Sequence, residues 1–482
     1  MAALSPVRRP TGWMNFHVLI IPARQRTNGP FPSPDASAIA EGIFCTFSSE
    51  ASPMTTTMKN TPPGFPSHSS ATLAFALAIA AGGAQAAGFV EDAKGTLTLR
   101  NFFINRDFKG DNATRSKAEE WTQNFLLDLK SGYTEGPLGL GLDVLGLYSV
   151  KLDGGKGTGG TQLLPLDHDG KPADRFGRLA VAGKLKLSET ELRAGEWALV
   201  LPILRSDDGR SLPQTFRGSM LTSKEIENLT LYAGHITGNS PRDDGSMEEM
   251  TLFGTSPYTS DRTSDDFDFG GLEYSFNGKR TLVGVWYARL KDIYKQRYIQ
   301  LQHSQPLGGD WTLGANIGYF DGEDDGEALE GHLDNKALSG LFSLRTGAHT
   351  FYLGLQRISG DSKWLRVNGT SGGTLANDSY NSSYDNARER SWQLRYDYNF
   401  AALGMPGLTF MTRYISGKNI HVGAVDDGEE WGRESEVAYV VQSGAAKNLT
   451  LRWRNTTMRR DYGSDNQFNE QRLIVQYPLS LF

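Results

Sequence analysis

The sequence predicts an all-β fold, an 18-stranded antiparallel transmembrane β-barrel, and three observations carry that expectation. Stretches throughout the chain alternate apolar and polar residues with period two, the spacing that sends successive side chains to opposite faces of a strand. Turn-forming clusters separate those stretches, and short and long connections take turns along the chain. Only 38% of residues are hydrophobic while 55 are glycine, so little of this polar chain looks able to cover so many apolar faces in a soluble core. Lipid can cover them instead.

The N-terminal part stands outside this pattern. Residues 1 to about 53 are rich in Pro, Ser and Arg without periodicity. We read 1–57 as an upstream extension of the reading frame, with Met54 or Met58 as the true start. Residues 58–87 read as a secretory signal peptide. The apolar run Leu73–Ala81 is followed by Gly82, Gly83 and Ala84-Gln85-Ala86, which puts cleavage after Ala86 or Ala87. Lys59 alone makes a weak basic region, and a buried helix is the alternative. Mass spectrometry of the purified protein is expected to find a chain starting near Gly88; a start before Gly64 would overturn this assignment.

What remains, 88–482, contains no stretch approaching the ~18 apolar residues of a spanning helix. The chain's single cysteine, Cys45, lies in the extension. Disulfides, zinc–thiolate sites and cysteine nucleophiles are therefore excluded from the mature part. The whole chain carries net charge −6, and losing five basic and three acidic residues with the leader leaves −8. Nucleic acid is not an expected partner for such a surface.

From Gly88 onward the chain reads strand, connection, strand. Short connections fall at 134–137, 188–190, 224–228, 277–278, 307–309, 346–348, 401–406 and 444–447. Asn277-Gly278, between LEYSF and RTLVGVWYA, is the clearest hairpin signal. Long polar connections are expected at 105–120, 152–177, 201–213, 238–266, 290–296, 321–335, 359–389, 417–433 and 459–469. Seventeen connections make 18 strands; reading the segments near 201–228 and 290–297 otherwise makes sixteen. Either number encloses an aqueous lumen. Short turns at one rim and long loops at the other are the outer-membrane pattern, and both termini then fall on the periplasmic side.

The end of the chain is the most regular part. Leu449, Leu451 and Trp453 share a face, as do Leu473, Val475, Tyr477, Leu479 and Leu481. This last strand must pair with the first, Thr96 to Ile104, because an open edge in lipid leaves backbone groups unpaired at several kcal/mol each. Trp121, Trp392, Tyr396, Trp453 and Tyr477 are expected on the outside, in the interfacial belts.

Parity then points six arginines into the lumen. Arg100, Arg395, Arg413, Arg452, Arg454 and Arg472 lie opposite outward leucines and aromatics, and closure gathers them on one wall. Guanidinium groups offer forked donors that match a carboxylate and keep their charge at neutral pH, so such a row can guide anions. Several weak sites in series let a solute pass without trapping it. Pairing with inward acids such as Asp397 and Glu436 is the competing reading, and parity alone leaves both open.

Other matches carry little. Gly155–Gly160 fits G-x-G-x-x-G but no helix pattern follows it, so no nucleotide cofactor is expected. The histidines are dispersed without H-E-x-x-H, and none neighbours a plausible serine, which leaves neither a zinc-protease motif nor an activated serine nucleophile for an outer-membrane hydrolase. The acid runs Asp321–Glu327 and Asp426–Glu430 are expected in solvated loops. No metal site and no enzyme activity follow from these residues. A secreted soluble sugar-binding β-protein is the remaining contrast; it requires those apolar faces to be covered in a core.

At residues 201–223, LPILRSDDGRSLPQTFRGSMLTS, the chain resembles the OprD family of substrate-specific outer-membrane porins. The likeness runs from AGFVEDAKGTLTLRNFFINRDF through GLDVLGLYSVKLDGG and LTSKEIENLTLYAG to RLIVQYPLSLF, nearly the whole mature chain. It implies an 18-stranded monomeric barrel, often in loose homotrimers in outer-membrane lipid, with loops folded inward to form a constriction. It also implies a ladder of basic residues leading small carboxylate solutes to that constriction. The six arginines would be ladder members, and Ser206, Asp207, Asp208 and Arg210 would stand near the narrowest point, the two acids opposite the ladder. SDDGRSLPQTFRG and NSPRDDGSMEEM resemble the branch that takes aromatic and cyclic monocarboxylates such as benzoate or vanillate. The other branch takes basic amino acids, peptides and carbapenems.

Overall fold

The computed structural model describes residues 87–111, 113–255 and 261–482. The upstream extension and all of the signal segment except Ala87 lie outside the described residues. A short helix, α1 (Ala87–Glu91), leads into eighteen strands. These are β1 (Lys94–Phe108), β2 (Lys117–Lys130), β3 (Leu138–Asp153), β4 (Arg175–Leu187), β5 (Thr190–Trp197) and β6 (Thr215–Ser223). There follow β7 (Leu229–Ser240), β8 (Phe267–Phe276), β9 (Thr281–Leu290), β10 (Tyr294–Gly308), β11 (Trp311–Asp324) and β12 (Asp334–Thr346). The last six are β13 (His349–Ser359), β14 (Arg390–Asn399), β15 (Leu408–Val422), β16 (Val425–Val440), β17 (Thr450–Arg460) and β18 (Phe468–Ser480).

Each strand pairs antiparallel with its sequence neighbours, and β18 closes onto β1 in one unbroken register from Thr96↔Ser480 to Phe108↔Phe468. Closure leaves no edge strand, which is what a bilayer demands of a sheet. The alternating pattern decides the faces. Leu394, Leu451, Trp453, Leu473 and Leu353 are all exposed, Leu394 by 54%, an arrangement that only lipid makes favourable. Trp121, Trp392 and Trp453 are on this outer surface too, each at least 40% exposed.

All eight expected short turns are found. At the clearest, Asn277 and Gly278 both take left-handed backbone angles, φ 56° and 66°, as a tight hairpin turn of this composition requires. The residue at 132 must be glycine for another reason. Helix α1 packs against the β2–β3 turn so closely that a Cβ on Gly132 would fall 1.9 Å from the Gly88 carbonyl oxygen, and the Gly132 amide donates to Phe89 O at 2.9 Å.

Two expected long loops are in fact tight turns. Residues 290–296 contain only a three-residue connection, 291–293, and 417–433 is mostly strand, with β15 and β16 joined through 423–424. The acid run Asp426–Glu430 therefore lies in β16, and Asp321–Asp324 closes β11 rather than a loop. The reason is physical: above the bilayer both faces of a strand meet water, so nothing enforces apolar alternation there and the sequence loses its strand signature.

The seven longer extracellular connections are L1 (109–116), L2 (154–174), L3 (198–214), L4 (241–266), L6 (325–333), L7 (360–389) and L9 (461–467). L3, L4 and L7 fold into the barrel. Leu199, Leu201, Ile203 and Leu204 of L3, Met250 and Leu252 of L4, and Trp364, Leu365, Val367 and Leu375 of L7 form one apolar cluster with inward residues of β4–β13, among them Phe216, Phe269, Trp286 and Tyr298. L3 and L7 are also joined directly, by Thr374 Oγ1 donating to Pro202 O at 2.9 Å and Ser371 N donating to Arg205 O at 3.0 Å. The largest apolar mass inside the barrel is thus packed against β4–β13. The arginine-bearing strands β14, β15, β17, β18 and β1 stand outside it.

Candidate pore constriction and basic wall

All six arginines point into the barrel, and each already meets a carboxylate. Arg395 on β14 chelates Asp397 two residues along, at 2.8 and 2.6 Å. Arg413 on β15 bonds Glu434 at 2.7 Å and the Asp378 carbonyl at 2.9 Å. On β17, Arg454 lies 2.5 Å and Arg452 3.4 Å from the same Glu436 carboxylate. On β18, Arg472 bonds Glu470 at 2.6 Å and also reaches Tyr380 O at 3.0 Å and Asn381 Oδ1 at 2.9 Å. Arg100 on β1 forks onto Asp208 of L3 at 2.8 and 3.2 Å and donates to Arg210 O at 3.0 Å.

Cross-strand register makes the wall denser in charge than parity alone shows. Arg395 sits directly opposite Arg413, and Arg454 opposite Arg472. Facing like charges are unfavourable in a sheet; here the interleaved carboxylates hold them. Glu436 serves Arg452 and Arg454, and Glu470 serves Arg472 and Arg106, the latter at 2.7 Å. Because two carboxylates are each shared between two arginines, the wall keeps an excess of positive charge. A guanidinium has five N–H donors, and one shared carboxylate leaves some of them unused.

Two wall members escaped sequence reasoning. Arg106 and Arg460 continue the inward parity of Arg100 and of Arg452 and Arg454, with Arg460 on Glu430 at 2.5 Å. Extending parity by a few residues finds them, but the sequence reads as long connections over 105–120 and 459–469, which contain both. The tip of L7 was also unforeseen. The Tyr380 ring is flanked by the guanidiniums of Arg454, Arg413 and Arg472, at 4.0, 5.0 and 5.6 Å from its centre. Its hydroxyl donates to Glu436 at 3.1 Å and its amide to Glu434 at 3.1 Å. Cation–π contact and charged hydrogen bonds together pin this loop to the basic wall.

In L3 the four expected constriction residues have different surroundings. Ser206 Oγ accepts from Leu199 N at 2.9 Å and braces the loop. Asp207 bonds Arg242 of L4 at 2.5 Å and the Gly209 amide at 2.6 Å. Burial opposes its ionisation, but the Arg242 and Arg210 guanidiniums outweigh burial and hold its carboxyl below the usual range. Arg210 is 5% exposed and donates to Thr161 O at 2.8 Å; burial lowers its basicity. Only the Asp208 side chain is open, 54% exposed. The two acids do not stand opposite the ladder as expected: Asp208 touches it through Arg100, and Asp207 faces L4. Long-range folding of L3 against L4 and β1 decides this, and no local pattern encodes it.

Asp378 of L7 gives the constriction a pH dependence. Burial pushes its carboxyl up to about 6, against the pull of the Ser383 hydroxyl, which donates to it at 2.6 Å, and of Arg366 and Arg413. A carboxyl raised in the folded state contributes stability that is complete below its unfolded value near 4 and is lost as pH rises through about 6. L7 is therefore expected to be held more firmly at pH 5 than at pH 7.5. Hydrogen exchange of residues 371–384 should slow accordingly on acidification, beyond the intrinsic rate change, and Asp378→Asn should abolish that extra slowing.

A closed barrel with a lipid-facing outside, a charged wall and loops narrowing its interior is a porin-type channel. The chain belongs to the OprD family: the family model described as "outer membrane porin, OprD family" matches residues 87–481. Among solved structures it is 66% identical to a BenF-like porin from Pseudomonas fluorescens Pf-5, with TM-score 0.80 over 82% of this chain and all of that one. It is 62% identical to Pseudomonas aeruginosa OccK2 (OpdF) in complex with glucuronate, TM-score 0.75, covering 82% and 100%. To Pseudomonas aeruginosa OpdK with vanillate it is 47% identical, TM-score 0.77, with the same coverage. The protein is thus an outer-membrane channel and not an enzyme. The common rim that receives the β2–β3 turn and both ends of the barrel wall is the periplasmic one.

Proposed function

We propose that this channel passively admits small ring-bearing monocarboxylates, with aromatic ones such as benzoate or vanillate as its main cargo. The observation that carries the reading is the arginine wall, whose shared carboxylates leave guanidinium donors for a passing anion beside the narrowing made by L3 and L7. A solute with one carboxylate and an uncharged ring suits it: the carboxylate exchanges along the half-buried arginines Arg395, Arg452 and Arg454, while the ring passes the Tyr380 side. Glucuronate in OccK2 and vanillate in OpdK each combine one carboxylate with a ring, which supports the class. The glucuronate complex favours a second reading, a sugar-acid channel, because that relative is the more similar of the two. A channel for basic amino acids or carbapenems fits a wall of excess positive charge less well. Each barrel forms its own pore, and residues 58–87 direct its export.

Liposome swelling separates these readings. Benzoate is expected to enter faster than glucuronate, and both faster than arginine or glucose; benzoate entering no faster than arginine would end the proposal. Arg413→Ala combined with Arg452→Ala is expected to lower anion selectivity in planar bilayers, most of the effect coming from Arg452, whose one carboxylate partner among the described residues is 3.4 Å away. Unchanged selectivity would make the wall a structural feature.

A further inference from the structure

Charges on the outer wall of a barrel are usually confined to its rims and paired there. One row of the extracellular rim departs from this. Arg357, near the end of β13, is opposed in register by Arg390, the first residue of β14, and Arg390 is opposed by Lys418 on β15. All three are exposed and share the outward parity of Leu355, Trp392 and Tyr414. Lys418 has a carboxylate, Glu429, at 2.9 Å. Among the described residues, Arg357 and Arg390 have none. Adjacent like charges in register destabilise a sheet unless something of opposite sign lies over them.

The row also has a defined depth. Immediately below it Trp392, Tyr414 and Trp431 form a continuous aromatic band, with ring centres 5.6 and 5.8 Å apart, the marker of a membrane interface. Two residues along a strand put the charges about 7 Å above that band, where the headgroups of the outer leaflet lie. Beneath them Leu353, Leu355, Trp392 and Leu394 are 40–54% exposed and offer an acyl chain a continuous apolar surface. Forked guanidiniums match a phosphate bidentately.

We propose that Arg357 and Arg390, flanked by Lys418, form a site on the outer wall for the phosphate of an outer-leaflet glycolipid, a lipid A headgroup with its acyl chains on the surface below. The missing counter-charge of the row is then supplied by the membrane itself.

Native mass spectrometry of the detergent-purified protein tests this, with bis-phosphorylated lipid A, fully dephosphorylated lipid A and inorganic phosphate as separate probes. The phosphorylated lipid is expected to bind and the dephosphorylated one to bind much more weakly. Arg357→Gln with Arg390→Gln should weaken binding of the phosphorylated lipid by roughly 30-fold, from two interfacial charges lost. Arg357→Lys with Arg390→Lys should retain most of it. Benzoate swelling rates should be unchanged in both variants, since neither side chain faces the lumen, and this shows that the barrel is intact. The proposal is overturned if the glutamine variant binds as tightly as wild type or if removing the phosphates changes nothing. It also fails if inorganic phosphate competes at the lipid's own concentration, or if the glutamine variant alters only self-association of the barrel.

Discussion

Glu470→Ala is expected to destabilise the barrel by about 3–5 kcal/mol, the usual cost of leaving buried cations without their partner. Glu470 is 1% exposed and Arg472 likewise, and the same carboxylate holds Arg106 at 2.7 Å and Arg472 at 2.6 Å. Removing it leaves two guanidiniums on neighbouring strands without a carboxylate, with Asn381 Oδ1 near both and Tyr380 O near Arg472 as the remaining acceptors among the described residues. The urea midpoint in detergent should fall without a change of slope. In bilayers the same substitution should move selectivity the other way, further towards anions, because the wall loses a negative charge and no positive one. A variant as stable as wild type would mean that water already solvates this pair. Glu470→Gln should fall between, since an amide oxygen can still accept from one arginine.

Tyr380→Ala is expected to have the largest effect on conduction. Its ring lies among three guanidiniums and its hydroxyl donates to Glu436 at 3.1 Å, so L7 should lose about 1–3 kcal/mol of docking to the wall. Single-channel conductance should rise as the loop tip withdraws, and discrimination between benzoate and glucuronate should shrink. Tyr380→Phe keeps the ring and loses only the hydroxyl, so it should retain most of the discrimination. If alanine left both conductance and discrimination unchanged, L7 would not narrow the path.

Much of this molecule could be read from residues alone, and where reading stopped has a cause. Within the bilayer, one strand face meets acyl chains and the other meets polar surroundings. Leu451, Trp453, Leu473 and Val475 thus announce their face, and Arg452, Arg454 and Arg472 follow by parity. Above the bilayer that constraint ends, so the tops of β15 and β16 read as a loop, and Arg106 and Arg460 dropped out of the wall with the ends of their strands. Asn277-Gly278 was legible because its backbone angles suit few other residues.

Alternation, turn chemistry and the need to close a sheet in lipid determined the barrel and the sidedness of its arginines, and narrowed its strand number to eighteen or sixteen, since each is a local rule applied strand by strand. Which carboxylate meets which arginine, the position of Tyr380 among three of them, and the burial of Asp207 and Arg210 away from the ladder were decided only by the tertiary structure. Those contacts join residues far apart in the chain, 108 positions for Arg100 with Asp208 and 92 for Arg472 with Tyr380, or lie within loops whose path has no periodicity. Burial of apolar L3, L4 and L7 side chains against β4–β13 places them, and that packing is a property of the closed barrel rather than of any single stretch.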